Sequence, residues 1–276
     1  MMFDAYLRRW GLQADGDAIV TRSSCLLPVI WRGKPAMLKV AVEAEEKAGA
    51  MVMAWWDGEG AARVLALEDE ALLMERAHCR RSLIEMSRGG RDDDATRIIC
   101  EVVARLHAPR TKPPPPLVSL EDWFRDLHPA AAAHGGVLAA CAATATSLLA
   151  SQQDRVVLHG DIHHGNILDF GDRGWLAIDP KRLHGERGFD YANLFCNPDP
   201  ATATSPEHFM RRLQRVASSA SLEPFRLLQW VLAWSGLSAA WFLAHRQSPE
   251  PSLGVARMAA ARLEHLGRLR EEYLAI

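Results

Sequence analysis

Short apolar runs separated by turn residues fill the first 77 residues of this 276-residue chain. The segment Arg-Gly-Lys-Pro at residues 32–35 lies between two such runs and predicts the turn of a β-hairpin. Residues 42–56 are rich in Ala, Glu and Met and predict a helix. Strands are predicted at residues 17–22, 25–31, 36–40, 63–67 and 71–75.

The composition changes near residue 78, and the rest of the chain is predicted to be mainly helical. The aspartates at residues 92–94 are expected to cap a helix that ends near Pro109. Residues 111–117 contain four consecutive prolines and predict a stiff linker, after which Ser119 starts a helix with a capping-box pattern. Further helices are predicted at residues 129–151, interrupted by two glycines, and at 206–220, 224–245 and 252–273.

Residues 225–244 are apolar enough to suggest a membrane span, with one charge at Arg226. Polar residues interrupt the stretch, however, and its tryptophans lie inside it rather than at its ends. We therefore expect a core helix and no membrane partner. One face of that helix would carry Trp230, Trp234, Leu237 and Trp241.

Hydrophobic residues make up 49% of the chain and charged residues 24%, which is typical of a globular protein. The net charge of −2 and the pI near 6.6 argue against a nucleic-acid partner. The five cysteines are scattered without metal-ligand spacing, so reduced thiols in the cytoplasm are expected. The N-terminal segment has no charged start followed by an apolar core, as a signal peptide would.

Three polar residues follow two short apolar runs in the middle of the chain. Asp161 and Asn166 come after the run at residues 156–158, and Asp179 comes after the run at 175–178. Phosphoryl transfer needs Mg²⁺ at the phosphates and a carboxylate that orients the attacking hydroxyl. Since Mg²⁺ takes oxygen ligands from one or two protein groups, Asn166 and Asp179 fit as its ligands and Asp161 as the catalytic carboxylate.

The pattern His159-x-Asp161-x-x-x-x-Asn166 resembles the catalytic loop of the kinase superfamily, and Asp179 stands where kinases have the aspartate of Asp-Phe-Gly. Gly160 replaces the usual arginine, and Pro180-Lys181 replaces Phe-Gly. The string His-Gly-Asp-Ile-His-His-Gly-Asn-Ile is instead similar to antibiotic phosphotransferases, most of all the aminoglycoside 6-phosphotransferase (streptomycin phosphotransferase) and hydroxyurea kinase family. The resemblance covers nearly the whole chain and is strongest at residues 158–195.

This resemblance implies an α+β, protein-kinase-like fold with two lobes. A small β-rich N-lobe, residues 1–77, would bind the nucleotide, and a larger, mainly helical C-lobe, residues 78–276, would carry the catalytic loop and the acceptor-binding helices. ATP and Mg²⁺ are the implied cofactors, and the partner is a small-molecule acceptor. We expect a monomer or a weak dimer.

Nucleotide-binding residues are implied in the N-lobe. Lys39, in Ala-Met-Leu-Lys-Val, matches the strand lysine that holds the α- and β-phosphates, and Glu46 is the helix glutamate selected to pair with it, ahead of Glu43 and Glu45. No glycine-rich loop covers the phosphates. Backbone amides and the hydroxyls of Ser23 and Ser24 are predicted to replace it.

The resemblance also implies roles for the lobe connection and for two residues that support the catalytic loop. Backbone groups of the lobe connection, from Glu75 to Ala77, are expected to meet the adenine edge. His159 is expected to support the catalytic loop. Asp190, in the segment Gly-Glu-Arg-Gly-Phe-Asp-Tyr-Ala, is assigned to bracing that loop, with direct contact to substrate as the alternative.

The acceptor is left open by the sequence. A streptomycin-type aminoglycoside is favoured by the resemblance, but residues 201–276 contain six Glu and nine Arg and no Asp or Lys, which does not favour a polycation. Hydroxyurea or another small alcohol is therefore the alternative. Glu186, Asp199 and Glu223 are the acids to test as acceptor ligands, and each is expected at the surface.

Two other classes of function compete with the kinase. A metal hydrolase would use the side chains of His159, Asp161, His163 and His164 as ligands, and it would leave Asn166 and Asp179 without a role. A nucleotide-binding protein without catalysis would not need the intact set of Asp161, Asn166 and Asp179. For the adjacent histidines, we expect one to order the loop and the other to be solvated.

Overall fold

The N-terminal region is built on an antiparallel sheet. The computed structural model describes residues 2–21 and 23–274, with side chains except at 44–46 and 269–274. Within these residues the strands are β1 Gln13–Ala14, β2 Ile19–Val20, β3 Ser24–Trp31, β4 Lys34–Ala41, β5 Val64–Glu68 and β6 Ala71–Glu75; the helices are α1 Asp4–Trp10 and α2 Ala44–Trp56. These six strands form one sheet in the order β1-β3-β4-β6-β5, and β2 pairs with β3.

The hairpin between β3 and β4 shows why this sheet forms. Trp31 pairs with Lys34, and the two residues between them have positive φ, 50° at Arg32 and 75° at Gly33. Positive φ at both central residues is the geometry of the two-residue turn whose twist matches a hairpin. Side chains alternate along β4, so Leu38 packs into the cluster beneath α1 while its neighbours point to the opposite face.

The C-terminal region is mainly helical and holds two small sheets. The helices are α3 Leu83–Arg88, α4 Asp92–Leu106, α5 Leu120–Trp123, α6 Leu127–His134, α7 Val137–Ala150, α8 Pro200–Ala203, α9 Pro206–Ala220, α10 Pro224–Ala244 and α11 Glu250–Leu274. The strands are β7 Val118–Ser119, β8 Arg155–Leu158, β9 Ile167–Asp169, β10 Trp175–Ala177 and β11 Leu183–Glu186. β9 pairs with β10, and β11 lies between β7 and β8.

The apolar helix α10 is the centre of the main core. It is the one helix among the described residues that is long and apolar enough to cross a membrane, and 67% of its most apolar window is buried inside the protein. Trp230 and Leu237 are fully buried, and the helix packs against α7 and α11. Its apolar surface is therefore used inside the fold, as predicted for a core helix.

The three aspartates at the start of α4 do not cap it, so that prediction is wrong. The N-cap is Arg91, and no side chain accepts a capping hydrogen bond there. Asp92 is instead 3% exposed and pairs with Arg212 of α9. A partner 120 residues away, invisible to the local pattern, turns this carboxylate inward.

Other boundaries differ in smaller ways. The strand predicted at residues 17–22 is reduced to Ile19–Val20, and Arg22 lies outside the described residues. The short elements α3, β9 and β11 were not predicted, since each has few residues and little periodicity. The α+β class, with a β-rich first part and a helical second part, is confirmed. The division between residues 77 and 78 stays a prediction.

Candidate active site

The loop at residues 159–166 connects β8 to β9 and is closed by a buried histidine. His159 is fully buried, and its Nε2 atom lies 2.9 Å from the carbonyl oxygen of Ile178. Its Nδ1 atom accepts the Asp161 N–H at 3.2 Å, so Nε2 carries the proton and donates to Ile178. Burial lowers the pKa of His159 and favours the neutral ring. The histidine thus ties the loop to the segment that leads into Asp179.

Asp190 lies beneath this loop, in the 3₁₀ helix Arg187–Tyr191. Its two carboxylate oxygens accept the backbone N–H groups of His159 at 2.9 Å and Gly160 at 2.7 Å, and Nε2 of His107 lies 2.7 Å away. The residue is 1% exposed. This placement suits the predicted support role, and it leaves no face of Asp190 for a substrate.

Gly160 explains one departure from the kinase pattern. Its φ is +81°, and a Cβ at this position would lie 2.7 Å from the side chain of Leu183 and 2.9 Å from Cβ of Lys181. A side chain such as the usual arginine would therefore need both a strained backbone and a shift of β11.

Asp161 is the carboxylate of the loop that faces solvent. Its Oδ1 accepts Nδ2 of Asn193 at 2.8 Å, and its Oδ2 accepts Nδ2 of Asn166 at 3.3 Å. It lines a cavity of about 590 Å³ between the N-terminal sheet and the C-terminal helices. Other residues around that cavity include Ser23, Glu43, Trp123, Lys181, Trp234 and Trp241.

The two predicted Mg²⁺ ligands come from neighbouring segments. The N–H of Ile178 donates to the backbone carbonyl of Asn166 at 2.9 Å, which places Asp179 one residue beyond that contact. The side-chain nitrogen of Asn166 donates to the backbone carbonyl of Asp161 at 3.0 Å, so its amide oxygen is the atom left for a cation. An amide oxygen and a carboxylate are the hard ligands that Mg²⁺ takes from proteins, and the residues present fit this ion.

Lys39 connects the sheet to this site. It lies on the face of β4 opposite Leu38, and its Nζ forms an ion pair with Oδ1 of Asp179. Helix α2 also approaches this segment closely, since a Cβ at Gly49 would collide with the carbonyl oxygen of Pro180. The predicted phosphate-binding lysine and a predicted metal ligand therefore face the same volume. The side chain of Glu46 lies outside the described residues.

The two serines predicted to hold phosphate differ in position. Ser23 lines the cavity with Asp161, and its carbonyl accepts the N–H of Val42 at 2.8 Å. Ser24 is 3% exposed, and its hydroxyl lies 3.1 Å from that of Thr21 inside the turn. Only Ser23 is placed beside the cleft, so Ser24 is the weaker of the two predictions.

At the lobe connection, the side chain of Glu75 is occupied by protein groups. Its Oε1 accepts the Arg63 N–H at 2.6 Å and Nη1 of Arg173 at 2.5 Å, while its own N–H donates to the Arg63 carbonyl at 3.0 Å. Ala77 packs against an apolar cluster that includes Met53, Phe170 and Leu176. That cluster spans both regions, with Ala77 at its edge.

The two adjacent histidines of the loop have separate environments. Nδ1 of His163 accepts the Gly165 N–H at 3.0 Å, which orders the loop as expected for one of the pair. The expectation of a solvated partner is wrong for His164, whose side chain is 1% exposed and lies 3.6 Å from Asp92. Burial lowers the pKa of His164 to about 4. Among the described residues, no three His, Cys, Asp or Glu side chains converge as metal ligands.

The acids proposed as acceptor ligands do not converge on the cavity. Glu186 was expected at the surface, but it is 4% exposed and accepts hydrogen bonds from Arg226 and Nε1 of Trp230. Asp199 caps α8 and pairs with Arg88, and Glu223 caps α10 from an exposed position. The surface prediction is wrong for Glu186 because Arg226 and Trp230 lie 40 and 44 residues away in the chain.

Sequence reasoning missed the residues that surround Asp161 from the C-terminal side. Asn193 follows Asp190 by three residues, and its side chain reaches back to the carboxylate of Asp161. Trp123, Trp234 and Trp241 line the cavity, although the pattern assigned the last two only to a core face. The proximity of Asn193 to Asp190 was the one available signal.

A cleft between a β-sheet and a helical region, with a lysine facing an aspartate across it, defines a phosphotransferase of the kinase-like class. Solved structures agree on the fold. The aminoglycoside phosphotransferase APH(4)-Ia, in a complex with ADP and hygromycin B, has a TM-score of 0.61 at 12% identity, covering 96% of this chain and 97% of that one. The protein-kinase-like prediction is confirmed.

Residues 9–245 match the family described as aminoglycoside/hydroxyurea antibiotic resistance kinase, and the chain belongs to that family. It is 51% identical to streptomycin 3''-kinase of Klebsiella pneumoniae over 242 residues, 86% of this chain and 91% of the relative. It is 29% identical to streptomycin 6-kinase of Streptomyces griseus over 247 residues, 82% of this chain and 76% of the relative. The protein is an antibiotic-kinase homologue that phosphorylates a hydroxyl of a small molecule.

Proposed function

We propose that this protein transfers the γ-phosphoryl group of ATP to a hydroxyl of streptomycin, and that the 3''-hydroxyl is the acceptor. The observation that carries the proposal is the 51% identity to streptomycin 3''-kinase across most of both chains. Identity to streptomycin 6-kinase is much lower, at 29%, although it covers a similar share of this chain. This favours the 3'' position over the 6 position named in the sequence resemblance.

In this mechanism Asp161 accepts a hydrogen bond from the acceptor hydroxyl, orients its oxygen toward the γ-phosphorus and takes its proton as the bond to phosphorus forms. Lys39 binds the nucleotide phosphates. It is 7% exposed, so its charge acts in a weakly screened environment. Mg²⁺ held by Asn166 and Asp179 would offset the negative charge of the phosphates.

The cavity beside Asp161 has the right character for a rigid sugar antibiotic. Its wall is formed by Trp123, Trp234 and Trp241 rather than by a ring of carboxylates. Indole faces pack against sugar rings and attract delocalised cations, and streptomycin carries two guanidinium groups. The aromatic lining supports a polycation acceptor although the C-terminal residues are basic, because indole faces would take the place of acids as its partners.

The direct test is a coupled ADP-release assay with Mg-ATP and a panel of acceptors that contains streptomycin, hydroxyurea and hygromycin B. We expect acceptor-dependent ADP release with streptomycin, and phosphorus NMR of the product should place the phosphate on the 3'' oxygen. Turnover with hydroxyurea and not with streptomycin would instead identify the small neutral molecule as the acceptor. Nucleotide binding without turnover on any acceptor would support the non-catalytic alternative.

The same proposal has consequences outside the site. We expect the enzyme to act in the cytoplasm, without a nucleic-acid or membrane partner, as a monomer or weak dimer. Light scattering of the purified protein at micromolar concentration would measure the oligomeric state. A stable larger assembly would contradict this expectation.

A further inference from the structure

We propose that Asn193 is a positioning residue for Asp161, and that Trp234 fixes the direction in which Asn193 donates. This rests on the proposed function, in which Asp161 receives the acceptor proton. The contact that motivates it is short, with Nδ2 of Asn193 lying 2.8 Å from Oδ1 of Asp161. A carboxylate held at one oxygen in this way has a restricted rotation about its side-chain bonds.

The direction of the Asn193 amide follows from the chemistry of its neighbours. An asparagine side chain has a donor and an acceptor end of nearly equal size, and the hydrogen-bond partners decide which end points where. Nε1 of Trp234 lies 3.1 Å from Oδ1 of Asn193, and an indole N–H can only donate. The oxygen must therefore face Trp234. The nitrogen is then directed to Asp161, which as a carboxylate can only accept.

The backbone that carries Asn193 is held as firmly as its side chain. Asn193 begins the 3₁₀ helix Asn193–Cys196, and Nδ2 of Asn197 donates to its backbone carbonyl at 3.0 Å. Nη1 of Arg212 donates to the carbonyls of Leu194 and Asn197, each at 2.6 Å. Arg212 is 2% exposed and paired with Asp92. The buried ion pair between Arg212 and Asp92 thus holds the 3₁₀ helix that contains Asn193 in place.

Asp161 receives amide donors at both oxygens, but the two donors are not equivalent. Asn166 reaches Oδ2 at 3.3 Å and is also a predicted Mg²⁺ ligand, whereas Asn193 reaches Oδ1 at the shorter distance. Without Asn193, the longer contact from Asn166 would be the remaining side-chain hydrogen bond to Asp161, with Nε2 of His163 3.9 Å from Oδ1. Since a small misplacement of a catalytic group is costly in rate, the loss should affect kcat rather than nucleotide binding.

A double-mutant cycle tests this coupling. Asn193→Leu removes the donor at similar volume, and Trp234→Phe removes only the indole N–H while keeping an aromatic wall. We expect Asn193→Leu to lower kcat by about 30- to 100-fold and Trp234→Phe by about 5-fold, with the KM for ATP unchanged in both. In the double variant, kcat should equal that of Asn193→Leu alone, because Trp234 acts through Asn193.

Trp230→Phe is the matched control on the same helix. Its indole donates to Glu186 at 2.7 Å instead of to Asn193, so it should leave kcat unchanged. Multiplicative losses in the double variant, or losses confined to the KM for the acceptor, would show that Asn193 and Trp234 contact the acceptor independently and would overturn the proposal.

The cycle is run with the acceptor that the wild-type enzyme phosphorylates best. A wild type that ignores streptomycin but uses another acceptor counts against the acceptor assignment, and the cycle still decides the role of Asn193. If Asn193→Leu does not fold, Trp234→Phe decides it alone, since an unchanged kcat in that variant contradicts the proposal. A wild type inactive on every acceptor overturns both.

Discussion

The loop at residues 159–166 and the tryptophan wall of the cavity meet at Asp161, yet they are stabilised in different ways. Within the loop, His159 donates a hydrogen bond to the carbonyl of Ile178, 19 residues away. Asp190, 31 residues from His159, accepts the backbone N–H groups of His159 and Gly160. The wall joins Trp123 to Trp241, and their ring centroids lie 5.5 Å apart at an interplanar angle of 79°. Polar contacts of defined direction fix the loop, whereas packing of aromatic rings shapes the wall.

This difference predicts different consequences of mutation. A hydrogen-bonded loop positions reacting atoms, so its loss should appear in kcat. An aromatic wall contributes binding that is the same before and during the reaction, so its loss should appear in the KM for the acceptor. The following variants test that division, from the largest expected effect to the smallest.

Asp190→Asn should have the largest effect on the loop. The asparagine offers one acceptor where the aspartate satisfies two backbone N–H groups, and it presents a donor to one of them. We expect kcat to fall by about 10²- to 10³-fold while ATP affinity stays within about 3-fold of the wild type. Steady-state kinetics and calorimetry of ATP binding would check this. An increase in acceptor KM at normal kcat would instead place Asp190 in the acceptor site.

Asp92→Asn should be the most destabilising change beneath the site. Burial opposes ionisation of Asp92, but contacts from His164, Arg212 and Ser87 outweigh it and hold the pKa of this carboxyl well below its usual range. The substitution leaves the buried Arg212 charge uncompensated and should lower the free energy of unfolding at pH 7 by about 3 kcal/mol. Urea denaturation measures this value.

The difference in the free energy of unfolding between wild type and Asp92→Asn should depend on pH with a definite sign. Because the folded-state pKa of Asp92 is depressed, its contribution is present above the unfolded value near 4 and is lost as the pH falls below it. The difference in the free energy of unfolding between wild type and Asp92→Asn should decrease by about 1 kcal/mol as the pH falls from 5 to 3. A gap that widens with acid would contradict the assignment of the charge to Asp92.

Trp241→Ala should affect the wall and not the loop. Its indole lines the cavity and packs against Trp123 and Trp234, so its removal takes away contact area for the acceptor. We expect the KM for the acceptor to rise about 10-fold, with kcat changed by less than about 3-fold. Trp55→Ala, a tryptophan that donates to Lys112 away from the cavity, is the matched control. Equal effects of the two substitutions would show general destabilisation.

Glu223→Ala should have the smallest effect. Glu223 accepts the backbone N–H groups of Phe225 at 2.9 Å and Arg226 at 2.7 Å as the cap of α10. Its loss should lower the free energy of unfolding by about 1 kcal/mol and leave the acceptor KM unchanged. Thermal unfolding would measure the loss of stability, and initial-rate kinetics would measure the acceptor KM. A clear rise in acceptor KM would show that Glu223 contacts the acceptor.

The same contrast explains how much the sequence could predict. Asp161 and Asn166 lie in one short motif, and Asp179 follows the next apolar run. These residues indicated the loop and the chemistry, and the resemblance to the kinase superfamily implied the fold class. The roles of Asn193 and of the tryptophan wall were not predicted from the sequence, because they depend on contacts made across the fold, such as that between Trp123 and Trp241.

The burial of charged side chains was also not predicted from the sequence. Glu186 and Asp92 are acidic, and local patterns assign acids to surfaces and helix caps. Each is buried because an arginine from a distant helix pairs with it, Arg226 in one case and Arg212 in the other. Such pairs cannot be inferred without knowing which helices pack together.

The central claim is that Asp161 acts on the acceptor hydroxyl and not on binding of either substrate. Asp161→Asn keeps the size of the side chain and removes its ability to take a proton. Single-turnover phosphorylation of streptomycin, with both substrates saturating, should be slower by about 10³-fold in this variant, while calorimetry shows ATP and streptomycin bound with nearly wild-type affinity. A transfer rate within about 10-fold of the wild type would contradict the assignment of Asp161 as the catalytic base.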